Sequence, residues 1–269
     1  MHIQRQHRIK IAFWPPIFLW VAVLLSTNSY GYEEKAAAKD ATNTVKIKAR
    51  QDHDFLLTAN YYPGGKRSGG VIILHDCNTS KRAYISVANS LVEQGLHTLL
   101  LDLRGYGESV SPAYSEELAK RNSSDIVSYQ GEMALITANW PEDLLAAYQY
   151  LAKKLGKNKE IAVVSSGCSS AYAVALAEKI HLNALVMITP KMNYSDKERF
   201  KNLIDIPSYF ITSSNHQDSY NTAQELFIWN GAKKSKMQIF KGGRYNQQHI
   251  SAKNFLSNDI ALWLKSNLK

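Results

Sequence analysis

From about residue 50 onward, apolar positions fall into two alternating patterns. Short continuous runs come first. Val71 to Leu74 in GGVIILHD form one, HTLLLD another, and IAVV, NALVMI, IPSYFIT and KMQIF repeat the pattern. Runs of this length bounded by glycine, proline or polar residues predict strands buried on both faces. DFLLTANYYP predicts a further strand that ends at Pro63-Gly64-Gly65. Between the runs lie longer segments with helical spacing. In KRAYISVANSLVEQG, Ala83, Val87 and Leu91 share one face and Gly95 is the stop. WPEDLLAAYQYLAKKLG has proline in its first turn and glycine after its end. SSAYAVALAEKI, NTAQELFIWNG and SNDIALWLKSNL predict three more helices.

Strands alternating with helices of about 10–15 residues predict an α/β fold, a mostly parallel sheet covered by helices on both faces. In open sheets of this kind ligands meet the loops at the carboxyl ends of the strands. Residues 110–139 carry no strand pattern and read as a small cap over that edge. Residues 32–49 read as a polar lead-in, so the folded domain is expected over 50–269.

The N-terminus has its own pattern. MHIQRQHRIK holds Arg5, Arg8 and Lys10 and no acid; an apolar run, IAFWPPIFLWVAVLLS, follows. Basic, apolar and small-residue regions in this order predict an export signal over 1–31, with Ser29 and Gly31 suiting the −3 and −1 sites of a signal peptidase. A secreted or periplasmic protein follows from that reading. The alternative is an uncleaved anchor facing out of the cytoplasm, although Pro15 and Pro16 interrupt a run already short of the ~20 residues of a spanning helix.

The chain has 269 residues, enough for one large domain with a buried core. Cleavage after Gly31 removes three basic residues and no acidic one, taking the formal charge from +9 to +6. The remaining bases are scattered, with short clusters such as KKLGKNK and KKSK that have no repeated aromatic neighbours. They read as solvated surface, so neither nucleic acid nor a membrane beyond the N-terminal segment is an expected partner. No cofactor is expected, because DLRGYGES lacks the GxGxxG spacing of a dinucleotide site. Nor is a metal, because two cysteines and distant histidines have no ligand spacing.

Four stretches together resemble the α/β-hydrolase fold family, which includes serine hydrolases and dienelactone hydrolases. ILHDCN resembles the oxyanion-loop strand end, HGxG or similar. LLLDLRGYGES resembles its DxRGxGxS segment, with Asp102, Arg104, Gly105, Gly107 and Ser109. IAVVSSGCSSAYAVALA resembles the strand, nucleophile elbow and following helix, and IPSYFITSSNHQD the strand leading to the acid loop. The resemblance spans residues 50–269.

The elbow of this family reads GxSxG, because strand and helix approach closely around a strained turn. Two registers are open. Counted from IAVV, the pattern falls on Ser165-Ser166-Gly167-Cys168-Ser169, and Gly167 stands where the nucleophile should be. Shifted by two, Gly167-Cys168-Ser169-Ser170-Ala171 reads GxSxA and offers Ser169 as nucleophile. For the remaining triad members the resemblance points to Asp218 in the acid loop and to His249, which comes three or four residues late; Tyr245 and Asn246 occupy the usual His-Gly place. His216 lies in the acid loop and His75 in the oxyanion loop.

The resemblance also implies that the loops carrying Cys77 and Cys168 converge, since each lends an amide to one oxyanion hole. Asp76, Cys77 and Cys168 are therefore its expected residues. A Cys77–Cys168 disulfide is expected in an oxidising compartment, with two unpaired buried thiols as the alternative. Three functions stay open: a protein with a degenerate triad that binds a small molecule or partner with little or no hydrolysis; a serine esterase or peptidase using Ser169, Asp218 and His249; and a thiol enzyme using Cys168 or Cys77.

Overall fold

The computed structural model describes residues 43–51, 54–156 and 160–268. The expected signal segment 1–31 and most of the lead-in lie outside these residues. Eight strands form one sheet: β1 (Thr44–Lys48), β2 (Leu56–Tyr62), β3 (Gly70–Leu74), β4 (His97–Leu101), β5 (Ile161–Ser166), β6 (Ala184–Ile188), β7 (Ser208–Ser213) and β8 (Lys236–Phe240). Their spatial order is β1-β2-β4-β3-β5-β6-β7-β8. β1 and β2, and β2 and β4, pair antiparallel; every other pair is parallel.

The helices are α1 (Ile85–Glu93), α2 (Glu116–Asn122), α3 (Ile126–Thr137), α4 (Trp140–Leu155), α5 (Ser169–Lys179), α6 (Tyr194–Phe200), α7 (Gln217–Trp229), α8 (Gln247–Ala252) and α9 (Asn254–Asn267). Strands β3 to β7 are buried along their whole length, which explains their continuous apolar runs. Successive residues point to opposite faces. Ile72 and Leu74 join one core with Trp140, Leu144, Val174 and Leu226, while Val71 and Ile73 join the other with Val87, Leu91, Ile260 and Leu264. Helices α4, α5 and α7 thus cover one face, and α1 and α9 the other.

One boundary differs from the sequence reading. TVKIK, inside the stretch read as a polar lead-in, is edge strand β1, so the sheet begins at Thr44 rather than near residue 50. Only Ile47 of that strand is well buried, and a single inward side chain leaves little alternation to detect. Residues 110–139 hold two helices, each started by its own cap. Ser115 accepts from the Leu118 amide, and Asp125 forms a capping box with Ser128. In α3 the apolar Ile126, Val127 and Leu135 are exposed, which erases the helical periodicity. Among the described residues no helix is long and apolar enough to cross a membrane.

The segment after β4, at the carboxyl edge, is held by several buried hydrogen bonds. Asp102 accepts hydrogen bonds from the Lys81 amide (2.8 Å), the Lys81 ammonium (2.9 Å) and the Glu108 amide (2.9 Å). Ser109 Oγ donates to the Asp102 carbonyl and accepts from the Thr58 amide, both at 2.8 Å. Gly107 has φ +54°, and a Cβ there would lie 2.3 Å from Asp102 Oδ1, so only glycine fits. Arg104 makes a bidentate pair with Asp143 (2.8 and 2.7 Å) and lies over the rings of Phe55 and Tyr114. Asp102, Arg104, Glu108 and Ser109 of DLRGYGES are thus engaged in bracing this turn.

Candidate active site at the carboxyl edge of the sheet

Strand β5 ends at Ser166 and helix α5 begins at Ser169. Gly167 therefore stands at the tip of the turn, with φ +54°. The Gly167 amide donates to the Ile188 carbonyl at 2.9 Å, and its own carbonyl accepts from the Lys191 amide at 3.1 Å. The register with Ser169 at the tip needs a strand two residues longer than the one observed. Ser169 is instead fully buried in the first turn of α5. Its Oγ accepts from the Ser166 amide and donates to the Ser166 carbonyl, both at 3.0 Å. A hydroxyl folded back onto the strand in this way satisfies backbone groups at a helix start.

Asn246, in the loop between β8 and α8, faces Gly167. A Cβ added at Gly167 would lie 2.9 Å from both Asn246 Nδ2 and Oδ1. Asn246 Oδ1 accepts from Thr189 Oγ1 (2.5 Å) and from Ser166 Oγ (3.3 Å), and the Asn246 amide donates to Thr189 Oγ1 (2.8 Å). Both Asn246 and Thr189 have positive φ, 50° and 43°. For a β-branched residue that conformation is strained and persists only where neighbours over-determine it. Here the hydrogen bonds to Asn246 do so. No sequence signal marked Thr189, and Ser166 was marked only as a small residue of the elbow, because their partner lies far along the chain.

The remaining triad candidates are not brought together. Asp218 is exposed in the first turn of α7, with no hydrogen bond or ion pair among the described residues. His249 is buried in α8, its Nε2 is 3.2 Å from Ser213 Oγ, and its ring packs on Phe240. No carboxylate is hydrogen-bonded to its Nδ1, the atom a triad acid would orient, among the described residues. Burial lowers the His249 pKa to about 4; the nearby positive charge of Arg244 acts in the same direction, partly offset by the Arg244 carbonyl. His216 is bound to Ser219 Oγ (2.8 Å) and stacked on Tyr245. Among the described residues no Ser-His-Asp triad is assembled.

His75 has a structural task. Its Nε2 accepts from the Leu103 amide at 3.0 Å, so the proton sits on Nδ1, which donates to the Asp76 carbonyl at 2.7 Å. Burial holds this imidazole below the usual histidine range and keeps it neutral. Asp76 is buried and accepts from the Asn78 amide (2.7 Å) and the Tyr84 hydroxyl (3.2 Å). Burial, with the Asp76 carboxylate next, pushes the Tyr84 phenol well up.

Cys77 and Cys168 form a disulfide with their Cα atoms 6.0 Å apart. The bond ties the loop after β3 to the turn after β5. It also removes the thiol-enzyme alternative, since neither sulfur is a free thiolate. The amides of Cys77 and Cys168 donate no hydrogen bond among the described residues. No group of three or more His, Cys, Asp or Glu side chains among those residues could hold a metal ion.

Superposition on solved structures decides the fold class. An esterase from Pyrococcus furiosus, Pf2001, superposes with a TM-score of 0.59 at 16% identity, covering 84% of this chain and 91% of its own. A dienelactone hydrolase from Anabaena variabilis superposes with a TM-score of 0.63 at 14% identity, covering 84% and 97%. The chain has the α/β-hydrolase fold. A predicted CIB-like hydrolase from Thermoplasma acidophilum is similar too, with a TM-score of 0.60, 10% identity and coverage of 83% and 97%. No family model matches the chain, and no curated protein matches it in sequence. The α/β-hydrolase scaffold is thus present at low identity, with an elbow that carries glycine.

Proposed function

We propose that this chain is an exported α/β-hydrolase-fold protein with a degenerate triad, which binds a small molecule or partner with little or no classical hydrolysis. One observation carries the reading. The Asn246 side chain stands within 2.9 Å of the point where a nucleophile's Cβ would sit on Gly167. Nucleophilic catalysis on this scaffold needs an activated hydroxyl within reach of an imidazole. The tip offers glycine, and the side chain facing it is an amide that can neither accept nor deliver a catalytic proton near neutral pH. Export is supported by the basic–apolar–small order of the first 31 residues and by a disulfide suited to an oxidising compartment.

A fluorophosphonate probe followed by intact-mass measurement tests the binding reading. The folded protein is expected to stay unlabelled and to leave p-nitrophenyl acetate unhydrolysed above buffer. A stoichiometric adduct on Ser169, lost in a His249→Ala variant, would establish the serine-hydrolase alternative instead.

A further inference from the structure

Beside the sealed elbow, between α5 and the segment that follows β6, runs a groove of about 490 Å³. That volume lies within the range of small-molecule sites. Its walls are of two kinds. Pro141, Tyr172, Met192 and Cys168 of the disulfide supply apolar surface, with Ala171 and Ala175 giving the floor its depth. Lys191 and Arg199 supply positive charge.

Only one of the two cations is met by carboxylates. The Lys191 ammonium has no ion-pair partner among the described residues, while its backbone is anchored by the bond from its amide to the Gly167 carbonyl at 3.1 Å. Arg199 meets Glu178 at 3.7 Å and Asp196 at 3.9 Å, both longer than a hydrogen bond. Asp196, the acid lining the groove, is engaged at the start of α6, where its carboxylate accepts from the Asn193 amide at 3.4 Å. An apolar trough with one cation, Lys191, that has no ion-pair partner among the described residues complements a ligand with an apolar body and a single negative charge.

We propose that this groove binds a small amphiphilic anion, its apolar part against Tyr172, Met192 and the disulfide and its carboxylate or sulfonate at Lys191. This rests on the binding reading above and names the ligand chemistry for it. Lys191 sits next to the elbow because the Gly167 carbonyl holds its amide. The vestigial turn therefore positions a binding residue where it no longer positions a nucleophile.

The test is a fluorescence titration of the purified protein with 1-anilinonaphthalene-8-sulfonate, paired with N-phenyl-1-naphthylamine, which has the same aromatic body without the sulfonate. The sulfonate is expected to bind saturably at one site, and the neutral analogue about tenfold more weakly, as for loss of one charge-assisted hydrogen bond of roughly 1.5 kcal/mol. Lys191→Gln should weaken the sulfonate by about the same factor and leave the neutral probe unchanged. Ala175→Trp should abolish both; Ala171→Leu serves if that variant does not fold by circular dichroism. Absence of sulfonate binding, or binding unaltered in folded Lys191→Gln and groove-filled variants, overturns the proposal. Hydrolysis of p-nitrophenyl acetate by the same wild-type sample separates the two claims. Turnover with intact groove binding overturns the binding-only reading alone, and lost groove binding without turnover overturns the groove alone.

Discussion

The side chain of Asn246 closes over Gly167, 2.9 Å from where a Cβ would stand, and is pinned there by Thr189 and Ser166. In hydrolases of this fold that turn carries the nucleophile and the loop after the last strand carries the histidine. Here a glycine and an amide meet at that point.

Restoring a hydroxyl alone should therefore fail. Gly167→Ser is expected to cost about 1–3 kcal/mol, since it adds a side chain at positive φ against a packed neighbour. It should produce no esterase activity. In the Gly167→Ser/Asn246→Ala double variant the two costs should be less than additive by about 1 kcal/mol, because the truncated Asn246 no longer clashes. Urea midpoints of the two single variants and the double variant measure this. Strictly additive costs would show that the two side chains do not compete for space.

The disulfide ties together two loops 91 residues apart in sequence. Replacing both cysteines by serine should lower stability by about 2–4 kcal/mol. Wild type should lose a similar amount in reductant, and the double variant should be indifferent to reductant. Denaturant curves with and without dithiothreitol read out the difference.

Arg104 and Asp143 form a buried bidentate pair that links the loop after β4 to α4. Asp143→Ala leaves a buried guanidinium without its carboxylate and should cost about 3–5 kcal/mol. The Arg104→Met/Asp143→Leu double variant should cost less than Asp143→Ala alone, because it buries no uncompensated charge. Thermal melts of these variants at one pH are sufficient.

His249 gives stability a pH dependence of known sign. Burial pushes its folded pKa down to about 4, below the ordinary 6.5 of histidine, so the unfolded chain binds the extra proton first. The contribution is fully present above pH 6.5 and is lost as pH falls through about 4. Arg244 and His216 are the charged or titrating neighbours that oppose protonation. A His249→Phe variant should lose less stability than wild type between pH 6.5 and 4, read from urea midpoints across that window. Parallel curves would rule out this residue as the source.

Much of the fold was legible because burial writes itself into sequence. A strand covered on both faces must be apolar throughout, and β3 to β7 were all marked that way. Edge strand β1 and helix α3 were not, since one inward residue or an outward-facing Ile126 and Val127 destroy periodicity. The short helices α6 and α8 bury too few residues to show a stripe.

The candidate site divides along the same line. The chain alone specifies the α/β alternation, the position of the elbow between IAVV and SSAYA, and the residues from which an oxyanion loop and a disulfide could be drawn. It left two registers of the elbow open, because Ser165, Ser166, Ser169 and Ser170 are all small enough for either. The fold puts Gly167 at the tip, through the strand's end at Ser166 and the positive φ of Gly167. It alone placed Asn246 and Thr189 against that tip and left Ser169, Asp218 and His249 apart. Local patterns encode which face of an element is buried. The meeting of side chains 57 to 80 residues apart depends on how loops close over the sheet, and no local pattern records that.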